Sequence, residues 1–232
     1  MIDRSFNYGR HLIQRFLSRL GPYQTVLDIG AGRGADLLCA REVHPDATLL
    51  GLESFAPSIE ELKQKNIQVF STNIERDRFP FSAGSLDVVM GNQILEHTKE
   101  IFWILDQIST VLKDRGHLII GVPNLAALHN RLLLALGRQP SPLKNNSAHV
   151  RGFTKGDVIQ LLDSPFPGGY RLVDFGGSNF YPFPPILAQP LARLFPTMAW
   201  GIFFLFQKVK PYQGEFLRYP VEQQLETNFF LG

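Results

Sequence analysis

An apolar segment that runs into a glycine-rich turn constrains the fold of this chain more than any other feature. Residues 25–29 are apolar apart from Thr25 and Asp28, and glycines follow at positions 30, 32 and 34. At a strand-to-helix turn, glycines let the backbone pass close to a ligand. Such a turn on its own serves NAD, FAD or no ligand at all. The segment therefore predicts the first strand and helix of an α/β fold and leaves the ligand open.

Apolar runs and helical patterns alternate along most of the chain. After an amphipathic helix at residues 5–20, apolar runs predict strands at 25–29, 48–52, 67–70, 86–90, 117–122, 170–175 and 201–209. Helical patterns predict helices at 35–43, 58–65, 100–112 and 126–136, and a last one that Thr154 and Asp157 cap and that ends at Ser164-Pro165. Strands that are apolar throughout are typical of a parallel sheet with helices on both faces. The order predicts a doubly wound α/β domain.

Length, charge and cysteine content exclude several classes of protein. The 232 residues are enough for one α/β domain with a sizeable core. The 23 basic and 21 acidic residues are spread along the chain, so nucleic acid is disfavoured as a partner. Cys39 is the one cysteine, falls in a predicted helix and is interpreted as a core residue. No signal-type run follows Met1, which predicts a cytoplasmic protein, and five prolines between 182 and 196 argue against a membrane-spanning helix.

Acidic and amide residues after the first three strands narrow the choice of ligand. Asp28 stands two residues before the first glycine, where a carboxylate suits a ligand with an ammonium group better than a pyrophosphate. S-adenosylmethionine has that ammonium, together with a ribose diol and an adenine. Glu53 ends the second strand and can accept hydrogen bonds from both ribose hydroxyls, as an acid does in NAD sites. Asn73 and Ile74 follow the third strand, where one can meet the adenine amine and the other can cover the ring.

Residues 24–124 resemble the class I S-adenosylmethionine-dependent methyltransferases. The matching pieces are VLDIGAGRG at 26–34, Glu53, Asn73-Ile74, FPFSAGSLDVV at 79–89, LEH at 95–97 and GVPN at 121–124. The resemblance implies a Rossmann-like, mostly parallel seven-stranded sheet with an antiparallel last strand, and S-adenosylmethionine as cofactor with S-adenosylhomocysteine as product. It also implies a donor site formed by Asp28, Gly30, Ala31, Gly32, Glu53, Asn73, Ile74 and Asn92. The family often has Asp where Asn73 stands, and an amide oxygen can still accept from the adenine amine.

The segment after the fourth strand holds the first candidate for acceptor chemistry. Its Leu-Glu-His stretch is similar to that of the quinone, small-molecule and glycan O-methyltransferases, which makes His97 a candidate general base and Glu96 a candidate substrate-binding residue. In the quinone enzymes an earlier Glu joins the pair as a metal ligand. Gln93 takes that position here, so the sequence predicts no metal. The alternative is that Glu96 and His97 only pack and hydrogen bond inside the domain.

A second candidate lies at residues 149–154, after a polar loop at 137–148. The stretch is similar to the His-x-Arg-x-Phe segment of sugar- and glycan-modifying members, so His149 is a second catalytic candidate and Arg151 a substrate-binding one. The alternative is a loop that hydrogen bonds to its own backbone. Tyr8 and Arg10 could close over the donor's carboxylate, or be ordinary surface residues of the first helix.

The whole chain is read as one domain with an apolar C-terminal elaboration. Residues 1–210 form the methyltransferase domain, with an N-terminal helix at 1–23, a donor-binding core at 24–124 and an acceptor-side region at 125–210 that includes an insert at 177–200. Residues 211–232 form a tail whose Phe229, Phe230 and Leu231 are too apolar to stay in water. The insert either roofs the acceptor pocket or touches a membrane, or it covers the sheet edge or a second subunit of a homodimer.

The predicted function is methyl transfer to a small-molecule, lipid or glycan acceptor, with a hydroxyl favoured over nitrogen or carbon. An NAD-dependent oxidoreductase and a non-catalytic binding subunit that keeps the fold are the alternatives.

Overall fold

The computed structural model describes residues 7–225. Its strands are β1 (Thr25–Ile29), β2 (Thr48–Glu53), β3 (Gln68–Ser71), β4 (Leu86–Asn92), β5 (Leu112–Pro123), β6 (Tyr170–Ser178) and β7 (Gly201–Lys208). Its α-helices are α1 (Arg10–Arg19), α2 (Ala35–Val43), α3 (Ala56–Gln64), α4 (Ile101–Val111), α5 (Leu128–Ala135), α6 (Lys155–Asp163), α7 (Pro185–Leu194) and α8 (Glu215–Glu222). Short 3-10 helices lie at Asn7–Gly9, Leu95–His97, Ser141–Leu143 and Pro196–Met198.

The strands form a seven-stranded sheet in the order β3-β2-β1-β4-β5-β7-β6. The strands β1 to β5 are parallel to one another, and β7 is antiparallel to both β5 and β6. The predicted mostly parallel sheet with an antiparallel last strand is therefore confirmed. The strand order changes direction between β1 and β4, and ligands bind outside the carboxyl ends of the strands at such a point. Both β1 and β4 end beside this crevice.

Two hydrophobic cores cover the two faces of the sheet. Val26 points into a core shared with α1 and α2, whereas Leu27 points into the other core, shared with α4, α6 and α8. Neighbouring residues of one strand are thus buried on opposite faces, which is why the central parts of the strands are mostly apolar. Cys39 is half-buried in α2 and packs against the first of these cores, as predicted.

The helix α6 begins with the capping box that the sequence predicts. The Thr154 side chain accepts a hydrogen bond from the Asp157 amide (3.3 Å), and the Asp157 carboxylate accepts one from the Thr154 amide (2.9 Å). The two bonds satisfy amides that the first helical turn leaves without partners. They fix the point at which the chain leaves the loop that carries His149 and Arg151.

The apolar insert contains a helix that the sequence analysis did not predict. Pro185 is the first residue of α7, a position where the missing amide of proline costs no helical hydrogen bond, and Pro190 lies inside the helix. The helix packs through Ala188 and Ala192 on a small third core that also holds Phe180 and Ala199.

The C-terminal segment packs on its own chain. Phe216 of α8 is fully buried in the core that contains α4, against the rings of Phe166 and Tyr212. The Tyr212 hydroxyl donates to the Asp106 carboxylate at 2.7 Å. Contact with a second subunit is therefore not needed to bury Phe216, whereas the predicted contacts of Phe229, Phe230 and Leu231 lie outside the described residues. Within residues 7–225, the helices are too short or too polar to cross a membrane.

Candidate active site

The glycine loop lies at the carboxyl end of β1. The amides of Gly30 and Ala31 both donate to the Leu52 carbonyl (2.9 and 3.0 Å), which holds the loop against β2. Gly30, Gly32 and Gly34 all have positive φ angles, of 73°, 50° and 76°. A Cβ atom on Gly34 would collide with Leu62, whereas one on Gly32 would meet nothing within 4 Å. Gly32 thus presents bare backbone to open space, as a ligand cradle requires.

Asp28 lies beneath this loop and is 3% exposed. Burial, and then the nearby Asp36 carboxylate, raise its pKa well above the usual value; the Arg10 guanidinium opposes this rise, and Glu53 adds to it. Arg10 forms an ion pair with Asp36 at 2.7 Å. Two further carboxyl groups, of Asp36 and Glu53, and one guanidinium therefore act on Asp28. The excess of negative charge suits a cationic ligand group.

Glu53 holds the glycine loop from the end of β2. Its Oε2 accepts from the Gly32 amide (2.8 Å), and its Oε1 accepts from the amides of Ser54 and Phe55 (2.8 and 2.9 Å). The carboxylate thus lies beside the bare backbone of Gly32. A diol that binds there would donate to a group that is already held in place by three backbone amides.

Asn73 and Ile74 follow β3, as predicted. Asn73 is exposed, and its Oδ1 accepts from the Glu75 amide at 3.0 Å, which closes a short turn. Its backbone amide donates to Asp77 (2.8 Å). Ile74 is half-buried and packs against the larger core, so its side chain is anchored. The turn presents an amide group and an apolar side chain together.

Asn92 ends β4 and joins the N-terminal segment to this site. Its Nδ2 donates to the Tyr8 carbonyl (3.2 Å) and to Asp36 (2.9 Å), while its Oδ1 is buried without a hydrogen-bond partner. Asp36 also pairs with Arg10, so the N-terminal segment and β4 meet at this carboxylate, and a role of Arg10 at the donor's carboxylate stays a prediction. Tyr8 contributes its backbone carbonyl, and its side chain is 48% exposed.

Asp36 is a site residue that the sequence analysis missed. It lies in the first turn of α2, is buried, and accepts hydrogen bonds from Arg10 and Asn92. Acidic residues are common in the first turn of a helix because the helix dipole stabilises negative charge there. Nothing in the sequence therefore distinguished Asp36 from an ordinary residue of a first helical turn.

A second cluster of polar side chains forms after β4. Glu96 and His97 lie in the 3-10 helix Leu95–His97, and the loop before α6 returns to them because the amides of Val150 and Arg151 donate to the Glu96 carbonyl (2.8 and 3.3 Å). The imidazoles of His97 and His149 meet edge to face with their centroids 4.6 Å apart. One carboxylate oxygen of Glu96 and one nitrogen of each histidine all lie within 4.8 Å of one another.

Burial sets the protonation states in this cluster. Glu96 is 1% exposed, neither of its carboxylate oxygens has a hydrogen-bond partner, and burial raises its pKa to about 7. Burial and the neighbouring His97 lower the pKa of His149. The Nδ1 of His149 is also buried without a partner. A neutral imidazole thus faces a carboxyl group that is shielded from water.

Arg151 ties the returning loop to the chain beside the cluster. Its guanidinium donates to the carbonyls of Thr98 (3.1 Å) and Lys99 (2.6 Å). The guanidinium is thus directed toward backbone carbonyls, which agrees with the alternative that this loop hydrogen bonds to the backbone. A role of Arg151 in substrate binding stays a prediction.

Comparison with known proteins gives the family. The model of a methyltransferase domain family matches residues 3–177, about three quarters of the chain. The chain belongs to this methyltransferase family. The predicted membership of the class I methyltransferases is confirmed. Neither the family match nor the strand order favours the alternative of an NAD-dependent oxidoreductase.

Several curated relatives of this chain are named as methyltransferases. It is 30% identical to a methyltransferase of Strobilurus tenacellus over 105 residues, which are 44% of this chain and 36% of that protein. It is 26% identical to a probable S-adenosylmethionine-dependent methyltransferase of Mycobacterium tuberculosis over 163 residues, 67% of this chain and 54% of that protein. The chain thus spans about a third to about half the length of these relatives.

The chain also shares its fold with solved structures. The 1,6-didemethyltoxoflavin-N1-methyltransferase of Burkholderia thailandensis, with bound 1,6-didemethyltoxoflavin and S-adenosylhomocysteine, has a TM-score of 0.60 at 17% identity. The match covers 90% of this chain and 80% of that one. At this identity the likeness shows the Rossmann-like fold.

Proposed function

We propose that this chain transfers a methyl group from S-adenosylmethionine to a hydroxyl of a small-molecule, lipid or glycan acceptor. The observation that carries the proposal is the open space over the bare backbone of Gly32, between the buried carboxylate of Asp28 and the carboxylate of Glu53. Such a space fits a ligand with both a cation and a diol. Membership of the methyltransferase family supports the same donor.

The residues present fit this donor at each of its parts. Asp28 lies in a strongly negative surrounding that suits the ammonium, and Glu53 suits the ribose hydroxyls. Asn73 and Ile74 suit the adenine, one as acceptor for its amine and the other as cover for its ring. The unpartnered Oδ1 of Asn92 accepts a further hydrogen bond from the ligand. Bound S-adenosylmethionine supplies a methyl group that is already activated on a sulfonium.

The cluster of Glu96, His97 and His149 defines the acceptor side. The protein's task is to align the acceptor oxygen with the methyl group and to exclude water, since the transfer is an in-line displacement. As the oxygen–carbon bond forms and the sulfur–carbon bond breaks, the hydroxyl proton passes to an imidazole nitrogen of His97 or His149.

The exposed surface of α5 and α7 supports a lipid or another amphipathic acceptor. Leu128 of α5 packs against the core of α7, and His129 contacts the ring of Tyr181, so the two helices adjoin. Both helices expose large apolar side chains, namely Leu132, Leu134, Ile186 and Leu194. Residues 115–156 and 175–214, which carry them, contain basic residues and no Asp or Glu. This pattern is typical of a surface that meets anionic lipid.

Calorimetry with S-adenosylhomocysteine tests the donor site. The wild-type chain is expected to bind it, and Asp28→Asn to bind it about 10–100-fold more weakly, because a charged hydrogen bond is lost. Asp46→Asn, which changes an exposed aspartate, is the matched control and should bind as the wild type does. Equal affinity of all three chains, or no binding by any, would refute the proposed donor site.

A further inference from the structure

The Glu96 carboxyl group is buried with no opposite charge paired to it among the described residues. It is 1% exposed, and neither oxygen has a hydrogen-bond partner among the described residues. Buried polar groups in folded proteins are almost always hydrogen bonded, and an isolated carboxylate is among the most costly of them to bury. The nearby Arg151 does not compensate it, because its guanidinium donates to the carbonyls of Thr98 and Lys99. The position of Glu96 therefore calls for a partner that is positively charged.

Two imidazoles face the same point. One nitrogen of His97, one nitrogen of His149 and one carboxylate oxygen of Glu96 all lie within 4.8 Å of one another. The His149 Nδ1 is itself buried without a partner. Ligand atoms around a zinc ion are about 3–3.5 Å apart, given bonds of about 2.0–2.2 Å. Small side-chain rotations close the remaining distance.

We propose that Glu96, His97 and His149 bind a divalent transition-metal ion, of which zinc is the best fit. Two nitrogen ligands and one oxygen ligand suit zinc and its neighbours, whereas magnesium and calcium prefer oxygen ligands alone. Three protein ligands leave at least one position open, which an oxygen of the acceptor can take. The sequence predicted no metal because Gln93 stands where related enzymes have a third ligand. In the structure His149 takes the place of that third ligand.

The metal site deepens the proposed function without depending on the donor. If the ion binds, each imidazole would be a ligand through one nitrogen, the ion would lower the pKa of the acceptor hydroxyl, and the hydroxyl proton would pass to solvent water instead of to an imidazole. The assignment of the acceptor side rests on the proposed function. Metal binding itself needs neither S-adenosylmethionine nor an acceptor, so it can be measured alone.

Titration of the metal-free chain with zinc chloride tests the proposal. The chain is purified without a histidine tag, stripped with EDTA and titrated by calorimetry, and cobalt(II) is then used as a probe because it absorbs visible light. We expect one ion per chain, and at least about tenfold weaker binding by Glu96→Gln and by His149→Gln. Glu100→Gln and His11→Gln change a nearby carboxylate and a distant imidazole, and should bind zinc as the wild type does.

Thermal unfolding separates loss of ligands from loss of fold. Zinc should raise the Tm of the wild type and leave the Tm of Glu96→Gln unchanged. Without metal, Glu96→Gln should be at least as stable as the wild type, since it removes a buried carboxylate without partners. Weak binding by the wild type, or equal binding by the variants, would overturn the metal site. Calorimetry with S-adenosylhomocysteine on the same proteins shows whether the donor site stands or fails independently.

Discussion

Gly32 and Gly34 differ in what a side chain would meet, although both have positive φ angles. Alanine at either position costs about 1–2 kcal/mol of backbone strain. At Gly34 the new Cβ would also lie 2.6 Å from Leu62 and 2.8 Å from Ile67, which adds about 1–3 kcal/mol of overpacking. Gly34→Ala should therefore lose more stability in urea unfolding, while Gly32→Ala should mainly lose affinity for S-adenosylhomocysteine. Equal losses of stability would contradict this division.

Asp28 links donor binding to the pH dependence of stability. Its folded-state pKa is raised by burial, Asp36 and Glu53 against the opposing charge of Arg10. A raised pKa means that the carboxyl stabilises the fold fully below its unfolded pKa of about 3.9, and that this contribution is lost as pH rises through the folded pKa. Asp28→Asn cannot ionise, so its Tm relative to the wild type should increase between pH 4 and pH 8. Parallel Tm curves for the two ligand-free proteins would show that the shift is absent.

Sequence reasoning found the site residues that local patterns mark. Asp28 lies near the end of β1, Glu53 ends β2 and Asn73 follows β3, and the apolar runs of these strands predicted the common edge because the strands are parallel. His149 was named as a candidate, but its contact with His97 depends on a loop that returns across 52 positions. Such a contact is set by tertiary hydrogen bonds, here those from the loop amides to the Glu96 carbonyl.

At the scale of elements, Asp87 joins the starts of three strands. Its Oδ2 accepts from the amides of Gln24 and Thr25 beside β1, and its Oδ1 accepts from Lys113 of β5 at 2.6 Å. Burial alone would raise the pKa of Asp87, but these hydrogen bonds outweigh it and lower the pKa. Asp87→Ala should cost about 1–3 kcal/mol in urea unfolding at pH 7.

The same shift fixes how this cost varies with pH. A lowered pKa gives stability that is present above the unfolded pKa of about 3.9 and lost as pH falls through the folded pKa. The difference between wild type and Asp87→Ala should therefore shrink in unfolding measured near pH 3. Asp46→Asn, at an exposed site, should match the wild type at both pH values. A difference independent of pH would show that packing, and not charge, is responsible.

The elements were predictable where the apolar period was regular. The bounds of β1 and α2 agree with the prediction, and β6 and β7 differ by three residues or fewer. The helices α7 and α8 were missed because each contains proline, Pro190 in one and Pro220 in the other, and prolines are usually read as helix ends. The helix α7 buries Ala188 and Ala192, and α8 buries Phe216. Tertiary packing of these side chains stabilises both helices more than intrinsic helix propensity does.

At the scale of the molecule, the part of the tail that the structure describes, residues 211–225, packs on the domain through α8. Phe216 is fully buried against the core beneath α4. Phe216→Ala should destabilise the chain by about 3–5 kcal/mol, the usual cost of removing a buried aromatic ring. Val221→Ala on the same helix, where the side chain is 68% exposed, should stay within about 0.5 kcal/mol of the wild type. Similar losses in the two variants, measured by urea unfolding, would separate the tail from the core.

The surface of α5 and α7 decides whether the molecule meets a membrane. Ile186 is 82% exposed and Leu194 is 71% exposed, beside segments that hold basic residues and no acidic ones. A surface of this kind binds anionic vesicles through buried apolar area and through charge, and the charge part weakens with salt. We expect the chain to sediment with vesicles that contain phosphatidylserine, and less so with neutral vesicles or in high salt.

Paired substitutions locate that binding. Ile186→Glu and Leu194→Glu place negative charge on α7 and should reduce sedimentation with the anionic vesicles, while affinity for S-adenosylhomocysteine stays unchanged because α7 does not contribute to the donor site. Val221→Glu makes the same kind of change on α8 and should sediment as the wild type does. If all three variants behave alike, the attraction belongs to the charge of the whole chain; if only the α7 variants fail to bind, α7 forms the membrane-facing surface.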